Sequence, residues 1–89
     1  MEMNISDEFK SICKEIEKER KTEKEWALIE SSDMFQTEHY CGGYDATENA
    51  FCFSYYDDKG EEFWFQITLE KINKIVKNEI LFIKAKKNN

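Results

Sequence analysis

Between Ala50 and Thr68, two runs of alternating apolar and polar residues, AFCFSYY at 50–56 and FWFQIT at 63–68, flank a short acidic turn that carries a glycine. Period-two alternation around such a turn predicts a β-hairpin. A three-residue loop, Asp58–Gly60, pairs Asp57 with Glu61, Tyr55 with Phe63, Phe53 with Phe65 and Phe51 with Ile67, so that every apolar pair falls on one face. Gly60 then occupies the loop position that wants a left-handed backbone, as in a type I turn followed by a bulge. A two-residue loop would set Tyr56 opposite Phe63 and mix the faces, and a slip of one residue carries a whole apolar set to the wrong side. Seven of the thirteen aromatic residues lie between Phe51 and Phe65, so the hairpin is expected to anchor the core.

Two amphipathic helices are expected to frame it. Ile5, Phe9, Ile12, Cys13 and Ile16 form one stripe, with Asn4 or Ser6 as N-cap and Asp7 and Glu8 in the first turn, where carboxylates suit the helix dipole. From Glu17 to Glu25 no apolar residue occurs, so this helix either ends near Arg20 or protrudes into solvent. Trp26–Ile29 reads equally as a short strand or a helical turn. Thr68 caps a second helix whose stripe is Leu69, Ile72, Ile75, Val76 and Ile80. Residues 30–49 are the least legible: Ser31–Asp33 and Cys41–Gly43 carry turn chemistry, a short strand is expected to end at Gly42–Gly43, and Asp45–Glu48 is expected to be a loop or a single helical turn. Ile80–Ile83 either extends the last helix or makes a final strand, and residues 84–89 are expected to fray as a basic tail. The sum is a single small α+β domain: an N-terminal helix, an antiparallel sheet of three or four strands that includes the hairpin at 50–68, and a C-terminal helix.

Composition narrows the function. Of 89 residues 40% are hydrophobic and 36% charged, which supports a core and argues against wholesale disorder. The net charge of −6 divides into −5 over residues 1–44, −5 over 45–68 and +4 over 69–89. An acidic body disfavours direct nucleic-acid or anionic-membrane binding, because phosphate affinity comes from clustered Lys and Arg, and it favours a basic protein partner. No stretch is apolar for the eighteen or so residues that a membrane helix needs. Three cysteines, Cys13, Cys41 and Cys52, without an N-terminal apolar segment read as free thiols in a reducing, cytoplasmic compartment.

The second face of the hairpin is the one hint of a working surface. It carries Cys52, Ser54 and Tyr56 on one strand and Trp64, Gln66 and Thr68 on the other, with Trp64 opposite Ser54. Trp and Tyr on a face of mixed polarity resemble the centre of protein interfaces. The competing arrangement, in which the first helix or the Trp26 segment covers this face, weighs at least as heavily, because small domains seldom leave a tryptophan in solvent. Asp57, Asp58, Glu61 and Glu62 would form a charged rim that steers a basic partner by mimicking nucleic-acid phosphates; their plainer role is a solvated turn that protects a sheet edge. Asp57–Glu61 lacks the alternating ligands of a calcium loop. His39 with Cys41, joined by Cys13 or Cys52, does not show the paired spacing of a zinc site, and the histidine is expected at the surface or on a backbone group. No catalytic constellation and no cofactor motif is found.

The expectation is therefore a non-enzymatic acidic binding protein. It would dock on a protein with a basic or mixed surface through Tyr56, Trp64 and Gln66, rimmed by Asp57, Asp58, Glu61 and Glu62. Inhibitors and immunity proteins, including phage-encoded blockers of host nucleases, are built this way by analogy. The alternative is a homodimer or other assembly formed through the same aromatic face.

Overall fold

The computed structural model describes residues 1–29 and 34–87; the turn expected at Ser31–Asp33 lies outside them. The chain is α+β, with the hairpin at its centre. Strands β4 (Ala50–Tyr56) and β5 (Glu62–Ile67) pair antiparallel, Phe51 with Ile67, Phe53 with Phe65, Ser54 with Trp64 and Tyr55 with Phe63, which is the expected register. The turn closes through hydrogen bonds from Asp57 N to Glu61 O (3.0 Å) and from Gly60 N to Asp57 O (3.0 Å). Gly60 takes φ +79°, the left-handed backbone that glycine adopts at no steric cost. The Asp57 carboxylate completes the turn by accepting from Lys59 N (2.9 Å) and Glu61 N (2.8 Å).

Helix α1 (Asp7–Glu19) starts at Ser6, whose hydroxyl accepts from Phe9 N at 3.1 Å, and ends at Arg20, a left-handed C-cap. It buries Phe9, Ile12, Cys13 and Ile16, the expected stripe. The Trp26 segment is helical, α2 (Glu23–Ile29), with Trp26 buried. Helix α3 (Leu69–Val76) is capped by Thr68 and buries Ile72 and Ile75.

Three expectations are corrected. Among the described residues the sheet has five strands, in the order β2 (Phe35–Gln36), β3 (Tyr40–Asp45), β4, β5 and β7 (Lys86–Lys87), and a separate two-stranded ribbon joins β1 (Glu2–Asn4) to β6 (Phe82–Lys84). Gly42–Gly43 is no turn: β3 runs straight through it, with Gly42 paired to Phe53. Glycine is required there for close approach, since a Cβ on Gly42 would lie 2.1 Å from the Cys52 carbonyl oxygen and 2.6 Å from the Phe53 ring. The actual β3–β4 connection is at residues 46–49, where Asp45 Oδ1 accepts from Thr47 N (2.9 Å). Finally, the chain expected to fray from Lys84 is paired as far as Lys87; Asn88 and Asn89 lie outside the described residues. Ile83 and Ala85 point into the core while Lys84 and Lys86 point out. Ala85 joins the two sheets, its N–H donating to Met1 O at 2.8 Å.

One apolar cluster holds all of this together. Phe9 of α1 sits on Tyr40, Phe53 and Phe65, with ring centroids 5.2, 5.2 and 5.3 Å away, and Trp26 meets Phe51 edge-on at 5.2 Å. Such offset and edge-to-face contacts add to the burial of the rings themselves. Among the described residues, every sheet residue in the cluster belongs to the Phe53 side, and α1, α2 and α3 all contribute to it. The opposite side of the sheet contributes nothing to it among the described residues.

Candidate functional site

That opposite side is the open face. Register places Cys41, Ser54, Trp64 and Lys86 in one row across β3, β4, β5 and β7, and Gly43, Cys52 and Gln66 in the next. Tyr56 faces Glu62 at the turn end of the hairpin, its hydroxyl donating to Glu62 Oε2 at 3.2 Å. Neither α1 nor the Trp26 segment covers this side: Trp64 is 38% exposed and Tyr56 40%. The reason is geometric. With Phe51, Phe53, Phe63, Phe65 and Ile67 all directed to one side, the helices have a single apolar sheet surface on which to bury their own stripes.

Tyr56, Trp64 and Gln66 are therefore brought onto one surface, as the alternation implies. The four acids of the proposed rim are placed differently from one another. Asp57 spends its carboxylate on the turn. Glu61 meets Lys87 at 3.2 Å, and Glu62 accepts from Tyr56, whose phenol this hydrogen bond pushes above its ordinary value. Asp58 reaches His39 Nε2 at 3.4 Å. Two contacts were hidden from sequence reasoning. Lys86 lies over the Trp64 ring, 5.3 Å from its centroid, a cation–π contact. His39 joins the hairpin tip to α1. Alternation in Ile83–Lys86 is the signal that would have put Lys86 on a strand.

Glu8 holds the other side of His39. One of its carboxylate oxygens, Oε1, faces His39 Nδ1 at 2.9 Å; the other accepts from His39 N at 2.9 Å and from the Thr37 hydroxyl. Burial raises the Glu8 carboxyl, but the hydrogen bonds from Thr37 and His39 outweigh it and leave its pKa lowered. The His39 imidazole is raised, first by its hydrogen bond to Glu8.

The thiols are dispersed. Cys41 and Cys52 lie half-buried on the open face; Cys52 approaches Asp45 (3.9 Å) and is raised by burial and by that carboxylate. Cys13 is enclosed under α1, where burial pushes its thiol up to about 12. Thiolate is the reactive form. Native protein at pH 8 is therefore expected to leave Cys13 unmodified by iodoacetamide while Cys41 reacts, as peptide mass mapping will show. Alkylation of Cys13 without denaturant would place it outside the core. Among the described residues, no three His, Cys, Asp or Glu side chains gather so as to hold a metal ion, and no helix is long and apolar enough to cross a membrane.

Comparison with protein-family models, curated protein sequences and solved structures returned no match to this chain.

Proposed function

We propose that this chain is a non-enzymatic binding domain that docks on another protein through the helix-free face of its five-stranded sheet. The observation that carries the reading is the exposure of Trp64 and Tyr56 on that face, in a domain that buries most of its other aromatic rings on the far side. Large rigid side chains of this kind bring much contact area at small entropic cost and dominate the energetics of interfaces. Glu62 stands opposite Tyr56 at the hairpin end of the same surface, with Asp58 and Glu61 in the adjoining turn, and Asp45 lies at the other end of β3. An acidic margin of this sort favours a partner with a basic or mixed surface and speeds the encounter. A protein built to hold phosphate offers such a surface, which is why an inhibitor or immunity-type role, including that of a phage-encoded blocker of a nucleic-acid enzyme, fits the charge. Three free thiols suit a reducing cytoplasm.

The test compares immobilised wild type with the Trp64→Ala/Tyr56→Ala double variant and a Leu28→Ala control, which alters an exposed residue of α2. A partner captured from native cytoplasm is expected to bind the control normally and the double variant about thirty-fold more weakly, the scale of losing a hot spot. Equal capture by all three removes the face from the account. Neutralising Asp58, Glu61 and Glu62 to Asn and Gln is expected to slow association and flatten its salt dependence. Sedimentation is expected to show a monomer; a dimer that dissociates on Trp64→Ala would mean that the face serves self-assembly instead.

A further inference from the structure

Three parts of the fold meet at His39. Its ring lies between Glu8 of α1 (Nδ1 to Oε1, 2.9 Å) and Asp58 of the hairpin turn (Nε2 to Oδ1, 3.4 Å), and its backbone carbonyl accepts from Tyr56 N at 2.8 Å. Both ring nitrogens therefore face carboxylates. A neutral imidazole has one N–H and one lone pair, so it can serve only one of them; its other nitrogen would oppose carboxylate oxygen with lone pair against lone pair. Only the doubly protonated ring satisfies both. The two ends are not equal. Glu8 is fixed by His39 N and Thr37 as well as by the ring, whereas the Asp58 side chain is 98% exposed.

We propose that His39 is a proton-operated clasp, which ties the acidic hairpin tip to α1 when the imidazole carries its second proton and releases Asp58 when that proton leaves. On deprotonation Nδ1–H stays on the well-held Glu8 and the bare Nε2 turns its lone pair to Asp58. Glu38, its chain neighbour, also favours the cation electrostatically, while burial of the ring opposes it; Tyr40 and Tyr55 line the same cavity of about 280 Å³. The amino terminus of Met1, on the same wall, is held by the Ala85 carbonyl at 2.7 Å. The directions of both shifts agree with this. A raised His39 contributes stability that is complete below the unfolded value of about 6.5 and is lost as pH rises through the folded one; a lowered Glu8 contributes stability that is lost as pH falls through its own folded value. The clasp is closed between those two limits. That it adjusts the docking margin, by occupying Asp58 at low pH and freeing it at high pH, rests on the docking proposal above; the clasp itself is a property of the isolated chain.

His39 is the only histidine in the sequence, so its imidazole resonances need no assignment by mutation. NMR titration of the free protein is expected to give a His39 midpoint above about 6.5, with the Lys59 and Gly60 amides of the turn moving at the same midpoint. Asp58→Asn, at an exposed position that the fold does not need, is expected to lower the midpoint and to uncouple those amides; Glu8→Gln is expected to lower it further. A wild-type midpoint at or below 6.5, turn amides that stay still while His39 titrates, or an Asp58→Asn midpoint equal to wild type would each overturn the clasp. Because no partner is present, such a result leaves the docking reading standing, and a failed capture experiment leaves the clasp standing.

Discussion

Gly42→Ala is expected to destabilise the domain by about 3 kcal/mol or more, above the usual cost of overpacking a core by one methyl group. The backbone of β3 at Gly42 passes so close to β4 that the new Cβ would sit 2.1 Å from the carbonyl oxygen of Cys52 and 2.8 Å from Cα of Phe53. Those are main-chain atoms, and they can yield only by opening a ladder of six residue pairs. The third close atom belongs to the Phe53 ring, which stacks with Phe65 at 5.8 Å and meets Phe9 edge-on, so displacing it disturbs the centre of the core. Gly60→Ala makes the informative comparison. Nothing lies within 4 Å of a Cβ there, and the cost reduces to holding alanine at φ +79°, roughly 1–2 kcal/mol. Urea unfolding of the two variants measures the contrast. A Gly42→Ala midpoint equal to that of Gly60→Ala would mean that the two strands do not approach as closely as described.

Phe9→Ala is expected to cost about 4 kcal/mol, within the range for emptying a buried phenylalanine site. Phe9 is the residue through which α1 is seated on the sheet: it is fully buried and touches a ring on each of β3, β4 and β5. Its removal leaves Tyr40, Phe53 and Phe65 facing a void that rigid rings fill poorly. Domains of this size hold roughly 5–15 kcal/mol in total, so the variant should begin to unfold at low urea. Phe82→Ala, at an exposed ring of β6, is expected to stay within about 0.5 kcal/mol of wild type. A loss below about 1 kcal/mol for Phe9→Ala would show that α1 is not held by this ring.

What could be read from the chain depended on how local the determinant was. The hairpin register rests on alternation and on Gly60, both contained within nineteen consecutive residues, and it is reproduced pair by pair. The caps Ser6 and Thr68 and the stripe of α1 are equally local. Strand β3 was misjudged at Gly42–Gly43 because glycine marks turns by its backbone freedom, whereas here its lack of a side chain is what matters, and the atoms that demand it belong to another strand. Strand β1 carries one inward residue, Met3, and takes its partner Ile83 from the far end of the chain. No pattern of three residues announces such a pairing.

The candidate surface divides in the same way. Alternation alone determined that Trp64, Tyr56 and Gln66 share a side and that Phe53 and Phe65 have the other, because successive strand residues must point oppositely. Whether that side would be covered was decided only by the tertiary structure: α1, α2 and α3 compete for apolar surface, and the Phe side offers it. The meeting of Glu8, His39 and Asp58 is likewise tertiary, since a helix start, a loop and a hairpin tip become neighbours only once α1 has docked on the sheet.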